Sequence, residues 1–320
     1  TLVPNYAYRA SVAYVTGSHS LKLGFNRTHG YQVTRSYSLN DLAYRFNNGV
    51  PNQVTLRALP VQFENDLDNA LGLFIQDRWK LNKMTIGLAL RYDTFQASFP
   101  DQKVGPSNLT PGRNFTFPAQ SNLDWNDITY RSSLAYDING DGKTALKVTL
   151  NKYLLGQTLN GLGTDPNPVN TMVTSATRNW TDANGNYKVD CDLQNFAANG
   201  ECAGISNPTF GLAAPASTFS KDLRSGFNHR QSNWEFSAGV QREVLPRVSV
   251  DVGYFRRIWE NFRVTDDLNL SASDFDTFSM TVPSDPRLPK GGGYKLDGLV
   301  ALKPEAFGRP AQNDNRLDSV

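Results

Sequence analysis

Apolar residues alternate with polar or small ones, with a period of two, in eight stretches of the chain, and the stretches come in pairs. Successive side chains on a strand point to opposite faces, so each stretch predicts a strand with one apolar face. In the first pair Tyr6, Tyr8, Ala10, Val12 and Tyr14 alternate with Ala7, Arg9, Ser11 and Ala13; after Thr16-Gly17-Ser18-His19 the pattern resumes as Leu21, Leu23 and Phe25 against Lys22, Gly24 and Asn26. The second pair runs from Leu71, Leu73 and Ile75 to Trp79, turns at Asn82-Lys83, and returns as Ile86, Leu88, Leu90 and Tyr92. The third reads Ile128, Tyr130, Ser132, Leu134 and Tyr136, turns through Asn139-Gly140-Asp141-Gly142, and continues as Leu146, Val148 and Leu150. In the fourth, Trp234, Phe236, Ala238 and Val240 lead to Leu245-Pro246 and then Val248, Val250, Val252 and Tyr254. Each pair predicts a β-hairpin.

The connections alternate between these tight turns and long excursions over 33–67, 99–127 and 155–230. Soluble antiparallel domains rarely carry structureless loops beyond about 15 residues, whereas outer-membrane barrels have short periplasmic turns and long external loops. The expected fold class is therefore all-β: part of an antiparallel transmembrane β-barrel, about eight strands of a larger one, with long extracellular loops. Residues 1–264 hold the hairpins and these loops, and 265–320 read as one more long extracellular loop with a small hairpin near Tyr294–Leu302. Aromatics fit two girdles. Tyr14, Trp79 and Tyr136 lie near the short turns; Tyr6, Tyr8, Tyr92, Tyr130, Trp234 and Tyr254 lie near the long loops. Asp77 breaks the pattern, because it shares the apolar side with Leu73, Ile75 and Trp79.

Composition narrows the function classes. With 25 Gly and 17 Pro among 320 residues, an all-helical fold is excluded. No apolar run is long enough for a transmembrane helix, but a mean hydropathy of -0.46 suits strands that meet lipid at every second residue. Thirty-two basic against 30 acidic residues, with no long basic run, argue against nucleic acid as a partner. The first residues, Thr-Leu-Val-Pro-Asn, carry no initiator Met or leader, so the chain reads as a piece of a longer protein.

Candidate chemistry lies mainly in the loops. Cys191 and Cys202, in an Asn- and Gly-rich segment, suit a disulfide in an oxidising compartment, with two free thiols the alternative. Beside them, Asp182, Asn184, Asn186 and Asp190 place four oxygen-bearing side chains at spacings a Ca2+ ion could use, although Asx turns explain the same letters. Asp137-Ile-Asn-Gly-Asp-Gly142 also imitates a calcium loop but reads better as a hairpin turn. The three histidines show no metal spacing, His19 reading as a turn residue and His29 as a strand end, and no nucleophile elbow is present, so the chain is not expected to be an enzyme. Arg9, Lys22, Arg91, Arg131, Lys147, Glu235 and Asp251 fall opposite the lipid side and would face a lumen. Trp180, Tyr187, Phe196, Phe210, Phe219 and Phe227 offer either an aromatic platform for a ligand or packing of the loops on themselves.

Several hairpins carry a family likeness. Gly72-Leu-Phe-Ile-Gln-Asp-Arg-Trp-Lys80 with Ile86-Gly-Leu-Ala-Leu-Arg-Tyr-Asp93 resembles the recurring hairpin of TonB-dependent outer-membrane receptors. Tyr130–Asp137 with Gly140–Lys147, and Trp234–Glu243 with Val250–Phe255, do the same. The loop Asn179–Leu193 resembles the subgroup with an N-terminal carboxypeptidase-regulatory-like domain. The resemblance implies a 22-strand barrel in the bacterial outer membrane that takes up a scarce small solute, with TonB acting through a plug domain that this chain lacks. The alternatives are a passive porin and, further off, a secreted β-rich glycan-binding module.

Overall fold

The computed structural model describes residues 1–318. Eight long strands form one antiparallel sheet in which every strand pairs with its neighbour in sequence: β1 (Asn5–Thr16), β2 (His19–Ser36), β3 (Val61–Leu81), β4 (Met84–Phe99), β5 (Gln120–Asp137), β6 (Thr144–Leu154), β7 (Ser232–Leu245) and β8 (Val248–Glu260). The sheet is open, with β1 at one edge and β8 at the other. Two-residue turns close β1–β2, β3–β4 and β7–β8, and the positive φ of Gly17, Asn82 and Arg247 marks each. The β5–β6 turn is built by Asp137, whose carboxylate accepts from the N–H groups of Gly140 (2.9 Å) and Gly142 (2.8 Å), both glycines having positive φ.

The apolar face of the sheet is uncovered. Val12 is 65% exposed and Val252 68%, and Leu23, Ile75, Leu88 and Val250 are exposed beside them. A contiguous apolar surface of this kind on one side of a sheet needs a non-aqueous neighbour. Asp77 is accommodated on that side because His19, the first residue of β2 and not part of the turn, meets it: His19 Nδ1 lies 2.7 Å from Asp77 Oδ2, and its ring stacks on Trp79 at 5.1 Å. His29 is likewise no strand end. It sits inside β2 at a bulge between Thr28 and Gly30, against the rings of Tyr6 and Tyr8.

Strands β2 to β5 run further beyond the membrane-height segment than the alternation indicated. The loops expected at 33–67 and 99–127 contract to 37–60 and 100–119, because β2 continues to Ser36, β3 starts at Val61, β4 ends at Phe99 and β5 starts at Gln120. Bulges at Thr28/Gly30, Leu67/Asn69 and Ala97/Ser98 shift the register there, so the period-two pattern loses its phase.

The buried core lies in and above the loops. Leu42–Asn47, Val50–Arg57 and Ser175–Asn179 make a three-stranded sheet that buries Val54, Leu56, Ala176, Trp180 and Phe210. A second cluster joins Phe95, Ala97, Leu123 and Trp125 of the wall to Leu159 of the longest loop. The last segment folds back on that loop: Asn313–Leu317 pairs antiparallel with Arg263–Asp267 and parallel with Ser217–Phe219, and Phe275–Thr281 pairs with Lys295–Leu302.

Two buried arginines organise these loops. Arg178, 1% exposed, donates to the carbonyls of Ala203, Asp192, Asn195 and Ala197 at 2.7–3.1 Å. Arg113 donates to Gly105, Ala58 and Pro60. Irregular backbone cannot satisfy its own carbonyls through a ladder, and the guanidinium fork supplies several donors from one side chain.

Candidate functional site

The polar face of the sheet is ordered in rows, since residues directly opposite on adjacent strands share a face and a height. One row runs Lys22, Gln76, Ala89, Arg131, Asn151 and Glu235 from β2 to β7. The next, about 7 Å nearer the short turns, runs Ser20, Arg78, Gly87, Ser133, Thr149 and Ser237. A third runs Lys80, Thr85, Ala135, Lys147 and Gly239. Cations therefore alternate with Gly, Ala, Ser and Thr, whose small side chains leave room between them. Two adjoining depressions result, one of about 510 Å³ and one of about 300 Å³, sharing Gln76, Ala89 and Arg131.

Local contacts fix several of these groups. Arg131 lies over the Tyr153 ring at 4.8 Å, Lys147 Nζ donates to Gln241 Oε1 at 2.6 Å, and Thr149 and Ser237 share a hydroxyl hydrogen bond of 2.7 Å. Arg91 is held differently. It forks onto Asp93 and lies across Gly72, where a Cβ would collide with Nη2. On β7 and β8, Glu235 pairs with Arg257. Among the described residues no ion pair involves Arg9, Lys22, Arg78, Arg131, Lys147 or Asp251.

Above this wall, the longest loop covers the polar face. Residues Ser225–Phe227 pair in parallel with 124–126 of β5, in the gap left once β6 has parted from β5 beyond Asn151 and Arg131. Arg230 enters the same fork, its Nη2 3.0 Å from the fully buried Asp127 and its guanidinium 5.6 Å from the rings of Phe95 and Trp125. Trp125 Nε1 donates to Leu223 O.

The loop residues singled out in the sequence separate by location. A disulfide joins Cys191 to Cys202, with Cα atoms 5.9 Å apart. Asp182, Asn184, Asn186 and Asp190 do come together, engaged with one another and with backbone: Asp182 accepts from the N–H of Asn186 and Tyr187, and Asp190 Oδ2 accepts from the side-chain amides of Asn184 (2.7 Å) and Asn186 (2.8 Å). Those two amides hold the Asp190 carboxyl below its ordinary range. Among the described residues, no three His, Cys, Asp or Glu side chains form a metal-holding group. Of the loop aromatics, Trp180 and Phe210 are core, Phe196 packs on it, and Phe219 lies under Arg263, whereas Tyr187 and Phe227 are exposed.

Alternation along the sequence picks out Arg9, Lys22, Arg91, Arg131, Lys147, Glu235 and Asp251 one by one. It does not reveal Arg78, the hydroxyl row, or the pairing of Arg230 with Asp127, because cross-strand register decides which of them are neighbours.

An antiparallel sheet with an uncovered apolar face, a cation-studded polar face, short turns at one end and folded loops at the other defines a bacterial outer-membrane β-barrel protein. The sequence profile of the outer membrane beta barrel domain matches residues 3–289, and the chain belongs to that family. No curated protein and no solved structure matches it.

Proposed function

We propose that this barrel wall belongs to a TonB-dependent transporter, which binds a scarce small solute outside the cell and admits it when TonB, acting through a plug domain, remodels the lumen. The observation that carries the reading is the division of labour between the faces. Lipid of the outer membrane takes the side of Val12, Ile75 and Val252, while the opposite side offers charged and hydroxyl groups beneath a folded loop cap. The hairpin resemblance at 72–93, 130–147 and 234–255 favours this family over others that share the architecture. Binding and passage are the chemistry; catalysis and nucleic acid have no part in it.

A passive porin is the second reading, favoured by the exposure of Arg9, Arg78, Arg131 and Lys147 on the polar face. Conductance of the full-length protein in a planar bilayer separates the two. A plugged transporter is electrically silent until denaturant unfolds the plug; a steady open current without denaturant would establish the porin.

A further inference from the structure

We propose that the wall between β1 and β6 binds solutes through oxyanion groups, phosphate or carboxylate, making the transported molecule anionic; this deepens the transporter reading and rests on it. Three observations combine. First, the charges are segregated around the sheet. The polar faces of β1 to β6 carry Arg9, Lys22, Arg78, Arg131 and Lys147 without a carboxylate partner, whereas acids of that face with no cation partner, Glu243 and Asp251, lie on β7 and β8. The acids nearer the cations are already engaged: Asp93 by Arg91, Asp127 by Arg230, and Asp137 by the backbone of its turn. A low-dielectric wall bearing one sign of charge raises the local concentration of counter-ions.

Second, the cations flank hydroxyls. Ser133, Thr149 and Ser237 form a row between that of Lys22 and Arg131 and that of Lys147, with Arg78 further along the same row. Guanidinium forks and hydroxyl donors converging on one hollow match the several acceptor oxygens of a phosphate or carboxylate. Third, the set is pre-positioned. The Tyr153 ring supports Arg131 and the Gln241 carbonyl anchors Lys147, so less rotamer freedom is lost when a ligand arrives. The hollow of about 510 Å³ accommodates a small organic anion.

The test compares the full-length protein with the variant Lys22→Gln, Arg131→Gln, Lys147→Gln, after heat-modifiability on gels has shown that both barrels are folded. Equilibrium dialysis in detergent with labelled pyrophosphate, and separately with labelled citrate, is expected to show saturable retention of at least one probe, weakened roughly tenfold or more in the variant at low salt. Whichever probe is retained tells phosphate from carboxylate recognition. No retention of either probe, or equal retention by wild type and variant, would overturn the proposal.

A planar-bilayer measurement distinguishes a solute from a protein partner. The open channel, freed with denaturant where a plug closes it, is expected to prefer chloride over potassium, and the variant to lose that preference. A variant that conducts without denaturant while the wild type does not would overturn the proposal, because the cations would then be holding the plug. A wild type that conducts steadily sinks the TonB-gated reading alone, and its ion preference still decides the charge of the solute.

Discussion

Removing the Arg178 guanidinium should loosen the extracellular loop domain while leaving the barrel folded. Arg178→Met preserves length and apolar stem but leaves the Ala203 carbonyl without its side-chain donor, whereas the carbonyls of Asp192, Asn195 and Ala197 keep the side-chain amide of Asn199. A carbonyl left without a partner costs about 1–3 kcal/mol, so the loss at Ala203 alone is worth roughly one to two decades in the population of the opened loop. The ceiling is the local stability of the segment itself, because once it opens the carbonyls reach water. The assay is native-state proteolysis of the full-length protein in outer-membrane vesicles, scoring cleavage between residues 180 and 205. We expect about 10- to 100-fold faster cleavage in Arg178→Met, with Arg178→Lys intermediate, since an ammonium has three donors and no planar fork. Heat-modifiability of the barrel should not change. Cleavage within threefold of wild type would refute the idea that one side chain organises this loop.

Three further outcomes follow from other parts of the molecule. Serine at both Cys191 and Cys202 removes a short covalent loop worth about 3 kcal/mol of chain entropy, so cleavage there should rise about a hundredfold, while EDTA should leave wild-type protection unchanged. On the apolar face, His19→Leu should lower folding stability in bilayers by about 1–2 kcal/mol by leaving Asp77 unpaired, and His19→Leu with Asp77→Leu should recover it; a double variant no better than the single would contradict the pairing. Above the membrane, burial first, then Glu64 and Asp68, raise the Asp66 carboxyl from 3.8 to about 6. A raised acid favours the folded state while protonated, so stabilisation of the 61–68 extension is complete below pH 3.8 and is lost as pH rises through 6. Hydrogen exchange, corrected for intrinsic rates, should show better protection at pH 4 than at pH 7.5, and a reversed trend would sink the assignment.

Eight strands were legible because lipid on one side and polar groups on the other impose opposite demands on successive residues. From Tyr6 to Tyr14 or from Val248 to Tyr254 nothing else interferes with that rule. Beyond the aromatic level the rule lapses. Val61, Phe95 and Leu123 are buried by loop residues, and three bulges shift the phase, so continuous strands looked like loop. The loop core had no periodic signal either, since Val54 and Leu56 meet Trp180 and Phe210 across more than a hundred residues of sequence. Individual lumenal cations could be read from alternation alone. Their grouping could not, because Lys22, Arg131 and Lys147 become neighbours only through the register of four successive strand pairs.

The central claim is that hydrocarbon covers the apolar face of the sheet, and spin labels placed singly at positions 248 to 252 of the full-length protein in bilayers test it most directly. The account predicts oxygen-collision maxima at 248, 250 and 252, with maxima for a water-soluble nickel chelate at 249 and 251. Labels at 248, 250 and 252 that are shielded from oxygen, or reached by the chelate, would mean that protein or water covers that face, and would contradict it.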